Sequence, residues 1–273
     1  MEMFELLEYG FFRNALAGVV LLSIASAVIG TYIVSRRLVS ISGGVTHACF
    51  GGLGLGYFLG VSPVAMAALF AICSSLGVQW MSSRHRVRED SAIAVVWALG
   101  MAVGTLFIFL TPGYVPELNS FLFGNILTIT GNDIWTFAIY TCVLLAVFIF
   151  AYRLILVCAF DPDFARVRRL PVGLISTVMT VLVALCIVLT IRLVGVMLLM
   201  SMLSLPQMTA EVFERRFLRI MVFSAIISLL CSVGGLFLST VVNVPCSALI
   251  VILMAGVYLV AKCVSAVSGW RNG

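Results

Sequence analysis

Neutral imidazole is a common ligand for zinc and other first-row divalent ions, and this chain has two histidines, His47 and His85. His47 sits in the stretch YIVSRRLVSISGGVTHACFGGLGLGYFLG, from Tyr32 to Gly60, where water is scarce and an ionisable ring needs a partner or a task. Two readings fit it. In one, the ring is bonded to a neighbouring carbonyl or serine where helices cross. In the other it is a transient metal contact, and a twofold dimer brings two His47 rings near its axis, enough to replace part of a hydration shell and still release the ion. His85, among Arg84, Arg86 and Arg88, reads as a solvated headgroup-level residue. Glu89 and Asp90 read as charges favoured at a helix N-terminus, and Met197, Met200 and Met202, set among leucines, as packing residues.

Several other chemistries do not fit. A G-x-x-x-x-G-K-[ST] phosphate loop needs a lysine, and the single lysine, Lys262, follows Val-Ala near the C-terminus. ATP is not bound by that route. Proton-coupled carriers place carboxylates within the membrane, yet the eleven acidic residues, among them Glu117, Asp133, Glu211 and Glu214, map to segment ends or loops. Energy for uphill transport is therefore expected from another subunit. The eight cysteines form no C-x-x-C and are dispersed through apolar segments, as small buried hydrophobes are.

The elements that must position His47 follow from composition. Of 273 residues, 63% are hydrophobic and 10% charged, with a mean hydropathy of +1.21; soluble domains carry roughly 25% charged residues. Apolar runs are continuous rather than alternating, so the chain reads as an all-α polytopic membrane protein with about eight or nine spans of ~20 residues. They fall at about 11–35, 44–60, 62–82, 91–110, 132–152, 171–192, 193–210, 217–240 and 244–262. With the N-terminus outside, 14 of the 16 basic residues lie in inner segments, leaving Arg13 and Arg192 elsewhere; the positive-inside rule thus gives N-out, C-in. The net charge of +5 follows from that orientation and not from a nucleic-acid partner. Glu2, Glu5 and Glu8 precede the first apolar run, unlike the basic start of a signal peptide, so the first helix is read as retained. Phe4, Leu7 and Phe11 fall at the spacing of a short interfacial helix. No soluble domain or linker is evident, and residues 1–273 read as a single transmembrane domain.

Three stretches interrupt the helices. Thr111 to Gly131 holds Pro112, Pro116, Gly113 and Gly124 and reads as an outer loop with a re-entrant or surface helix. In Asp161 to Pro171, Asp161 is placed to cap a short helix with Pro162 at its first position. In Gly195 to Ala210, Pro206 is expected to kink or end a helix and free backbone carbonyls. Gly52, Gly56 and Gly60 form overlapping G-x-x-x-G steps, and Gly100 with Gly104 another, patterns that let helices approach closely. His47 shares a face with Gly51 and Gly54 beside that stripe.

The segments YIVSRRLVSISGGVTHA, REDSAIAVVWALGMAVG, SFLFGNILTITGND, AFDPDFARVRRLPV, RLVGVMLLMSMLSLPQMTA and GGLFLSTVVNVPCSALIVI, in this order and spacing, resemble the permease subunits of ATP-binding-cassette importers for zinc, manganese or iron, over nearly the whole chain. The resemblance implies a type II importer-like permease: a homodimeric pore in the bacterial cytoplasmic membrane, in contact with lipid, driven by two cytoplasmic ATPase subunits that bind the ATP and fed by an extracytoplasmic metal-binding protein. The chain is then a transport subunit, not an enzyme, with no cofactor of its own and a divalent metal ion as cargo. It also implies that His47 matches the family's second-helix histidine in the ion path. The family often has an aspartate four residues earlier; here that position is Gly43, which leaves paired His47 rings, carbonyls and water to serve the ion, or a different ion to be carried. Asp161, Pro162, Asp163, Ala165, Arg166, Leu170 and Pro171 match the coupling helix that docks in the ATPase, with Arg169 where relatives commonly have glycine. Transport by alternating access follows. Two alternatives stand beside this one: a permease for a metal chelate such as haem or a siderophore, and a channel or carrier that works without an ATPase.

Overall fold

The structure, a computed structural model, describes residues 8–85, 87–112, 124 and 126–267. The expected interfacial helix before residue 8 and most of the expected outer loop, 113–123 and 125, lie outside the described residues, as do the side chains of Arg84, His85 and Arg86.

Among the described residues there are eleven α-helices, with a 3-10 turn at Ile126–Thr128: α1 Gly10–Ser35, α2 Val39–Leu59, α3 Pro63–His85, α4 Glu89–Leu110, α5 Gly131–Phe160, α6 Pro162–Val167, α7 Val172–Val194, α8 Val196–Met202, α9 Leu205–Phe213, α10 Phe217–Val242 and α11 Cys246–Val267. In lipid each backbone N–H and C=O must find its partner within the segment, and the helix does that. Eight segments are long and apolar enough to span: α1, α3, α4, α5, α7, the α8–α9 pair, α10 and α11. The ninth expected segment, α2, is a full 21-residue helix but falls outside that set, because Ser40, Ser42, Thr46, His47 and its glycines dilute the hydropathy. It starts at Val39 rather than near residue 44, directly after the Arg36–Leu38 turn, where Arg37 is left-handed at φ 59°.

The chain divides into two compact units. The first comprises Met1–Arg37, Leu118–Thr141 and Thr190–Gly273. Within it α1 packs on α10, and α9 on both α10 and α11. The α1–α10 seam is lined with hydroxyls: Ser228 donates to Ser23 at 3.3 Å, and Thr31 and Ser224 are 3.5 Å apart. Such small polar contacts hold helices together where apolar burial alone gives no preference over lipid. The expected interruption near Pro206 takes a different form. The helix breaks at Leu203–Ser204, and Pro206 lies in the first turn of the next helix, α9, where its missing N–H costs nothing. The fully buried Gln207 amide donates to the Met202 carbonyl at 3.1 Å and to the Ser26 carbonyl at 2.8 Å.

The second unit comprises Leu38–Glu117 and Cys142–Leu189. Its centre is α2, which packs on α3 and α4. Gly52 and Gly56 face α3: a Cβ on either would strike the backbone of Met66, Ala67 or Pro63. Gly60 does not join that stripe. It caps α2 in the left-handed region at φ 68° with open space around it, because that conformation suits a residue without a Cβ.

Candidate functional site

The surroundings of His47 are set by the α2–α4 seam. Ser40 donates to Asp90 at 3.0 Å, His47 stacks on Trp97, and Phe58 meets Phe107 with centroids 5.2 Å apart. Between these rungs Gly44 lies against Ile93, Gly51 against the Gly100 carbonyl and Gly54 against Gly104. Every pair is separated by forty-nine or fifty residues in sequence, so the two helices run parallel and in register. Gly100 and Gly104 sit against the α2 backbone at Ala48 and Phe50, so there is no room between the helices for larger side chains.

His47 flanks this seam. Its ring is 4.5 Å from the Trp97 indole, centroid to centroid, with 3° between the planes. The ring is half-buried, and neither nitrogen has a hydrogen-bond partner among the described residues. The carbonyl- or serine-bonded reading is therefore not what the structure holds. Metal coordination takes place in the plane of an imidazole, and a stack covers only the ring faces. The stack therefore does not itself occupy the in-plane lone pair. Gly43, one turn before His47, is buried. No group of three or more His, Cys, Asp or Glu side chains able to hold a metal occurs among the described residues. Among the described residues the arrangement thus offers one imidazole and no closed cage of side chains around it.

Asp161 caps α6 as its sequence implies: its carboxylate accepts from the Phe164 N–H at 2.9 Å, with Pro162 in the first turn. Ala165 is fully buried and anchors the short helix. Arg166 donates to Asp163 at 2.8 Å with both side chains exposed. The Leu170 N–H returns to the Ala165 carbonyl at 2.9 Å, and Arg169 takes the left-handed conformation at φ 55°. A glycine would adopt that backbone without strain. Pro171 then leads into α7, which is tied to α3 where Gln79 donates to Ser176 at 3.1 Å.

Glu89 and Asp90 open α4 and accept from Ser82 and Ser40, so both are occupied as helix-end acceptors. Sequence reasoning passed over two residues. Trp97 was one; the available signal was its place within the REDSAIAVVWALGMAVG segment, three residues before Gly100. Arg192 was the other. It donates to Asp133 at 2.6 Å, and Asp133 is also held by the Thr130 hydroxyl at 2.6 Å. A lone arginine at the end of an apolar segment was itself a sign of a carboxylate nearby. Of the cysteines, five are buried and Cys73, Cys142 and Cys263 are exposed, so the expectation of small buried hydrophobes holds for the five only.

Comparison with known proteins agrees with this architecture. A membrane protein of Synechocystis, itself uncharacterized, is 36% identical over 259 residues, covering 95% of this chain and 92% of its own. The manganese transport system membrane protein MntC of Halalkalibacterium halodurans is 30% identical over 258 residues, covering 94% and 88%. Among solved structures, PsaBC from Streptococcus pneumoniae in complex with Fab superposes with a TM-score of 0.82 at 23% identity, covering 95% of each chain; that likeness concerns the fold. The ABC 3 transport family profile matches residues 8–265, and with that match the helical bundle around α2 is the membrane subunit of a known transporter class: the chain belongs to the ABC 3 transport family.

Proposed function

We infer that this chain is the membrane-spanning permease of an ATP-driven importer for divalent metal ions, with manganese or zinc as the cargo and iron as a further candidate. The family match over residues 8–265 carries the reading, and the name of the manganese relative supports the cargo. Residues 1–273 act as one permease domain, and two copies line the pore. The ion passes His47, whose in-plane lone pair is not taken by the stack on Trp97 and whose single imidazole binds weakly enough to let go. Cytoplasmic ATPase subunits dock on α6 through Asp161–Pro171, and an extracytoplasmic metal-binding protein delivers the ion. The chain lies in the bacterial cytoplasmic membrane with its N-terminus outside and its C-terminus inside, which the distribution of arginines supports. Nucleotide-driven closure of the ATPases moves α6, and the pore opens alternately to the two sides.

The test is uptake of radioactive manganese or zinc by the chain reconstituted with its ATPase partner and its metal-binding protein. Uptake should require ATP and the partner, and His47→Ala should abolish it while assembly persists. Uptake by the isolated chain would replace this reading with an ATPase-independent carrier. Wild-type uptake by His47→Ala would remove His47 from the ion path.

A further inference from the structure

We propose that Trp97 is the positioning residue for His47: its indole face fixes the imidazole plane and stabilises the positive charge the ring acquires when an ion binds. The inference rests on the reading that His47 lines the ion path. A histidine that ligates a metal is usually oriented by a hydrogen bond from its other ring nitrogen to a carboxylate or carbonyl. His47 has no such partner among the described residues, and the residue one turn earlier is Gly43. What it has is a parallel indole at 4.5 Å.

The backbones on either side of the stack are closely packed, while Trp97 itself is 41% exposed. On the Trp97 helix, Ile93 lies one turn before and presses on Gly44; Gly100 lies one turn after and presses on Ala48. Those contacts bracket the ring pair on both sides and fix the distance between the backbones. With the backbones so placed, it is the indole face rather than a hydrogen bond that limits the rotation of the imidazole. Stacking uses the ring faces and coordination uses the in-plane lone pair, so the two do not compete. When a divalent ion draws electron density from the imidazole, the ring becomes partly cationic, and an indole face is the aromatic surface that attracts a cation best. A carboxylate would supply a further ligand and hold the ion; an indole aids binding without adding a ligand, which suits a site that must release.

Two measurements on the full-length chain test this. With only His47 and His85 present, histidine-labelled protein in nanodiscs gives two imidazole spin systems, and His47→Gln assigns them. The His47 ring protons should lie upfield through the indole ring current, move part of the way back in Trp97→Phe and return fully in Trp97→Leu. Shifts that do not respond to either variant overturn the stack. In the assembly with the ATPase partner, Trp97→Leu should raise KM for Mn²⁺ by about tenfold and Trp97→Phe by about threefold, with the maximal rate held within about twofold. An unchanged KM in Trp97→Phe and Trp97→Leu overturns the positioning role; if Trp97→Leu does not assemble, the Trp97→Phe values decide alone. Loss of the His47 reading is seen separately, as wild-type uptake by His47→Ala, and leaves the spectroscopic result standing.

Discussion

The Gln207 side-chain amide donates to the Ser26 carbonyl at 2.8 Å, joining α9 to α1 across 181 residues of sequence. The same nitrogen takes the Met202 carbonyl released by the break before α9. The close approach is possible because Gly30 leaves space that a Cβ would fill, against both Gln207 and the Leu203 carbonyl.

Gln207→Leu keeps most of the volume and removes both N–H donors, leaving the Met202 carbonyl at the helix break unpaired, while the Ser26 carbonyl keeps its place in the α1 ladder. It should destabilise the protein by about 1–3 kcal/mol. Thermal unfolding in detergent checks this, and an unchanged Tm would show that the broken helix is held by packing alone.

At the α2–α4 seam, Gly54→Ala would set a methyl against the Gly104 backbone, whose Cα and carbonyl carbon lie 2.9 and 3.0 Å from the new atom. Backbone cannot rotate away as a side chain can, so the helices must separate, at about 1–3 kcal/mol. Gly77→Ala on α3 meets nothing within 4 Å and should be neutral or stabilising by up to roughly 1 kcal/mol through helix propensity. A loss for Gly54→Ala with no loss for Gly77→Ala in the same unfolding assay is the expected result.

Asp161→Ala removes the cap on the Phe164 N–H, at a cost of about 0.5–2 kcal/mol localised to α6. Hydrogen exchange at the first α6 amides should accelerate while α7 is unaffected. Affinity for the ATPase partner should fall in parallel.

Arg166→Glu separates docking from folding. Arg166 and Asp163 are paired at 2.8 Å, with side chains 68% and 87% exposed; such surface pairs contribute roughly 0–1 kcal/mol. Stability should barely change, whereas co-purification with the ATPase should weaken. Undiminished co-purification would contradict docking through Arg166.

Local rules read directly from residue order carried much of the chain. Continuous apolar runs, too long and too poor in charge for a soluble domain, dictated membrane helices, and Asp161-Pro162 dictated a capped start to α6. Both depend only on neighbours within a few positions, which residue order contains. At Pro206 the local rule named the place but not the outcome. Proline is tolerated at a helix start as readily as it disrupts an interior, and the choice fell to Gln207, whose two acceptors lie on α1 and at the end of α8. The partner of His47 was likewise decided only in three dimensions. Glycines on α2 face both α3 and α4, and nothing local states which stripe meets which helix. The parallel register that sets His47 on Trp97 comes from matching Gly44, Ala48, Gly51 and Gly54 to Ile93, Gly100 and Gly104, a fit between distant surfaces that exists only once both helices are packed.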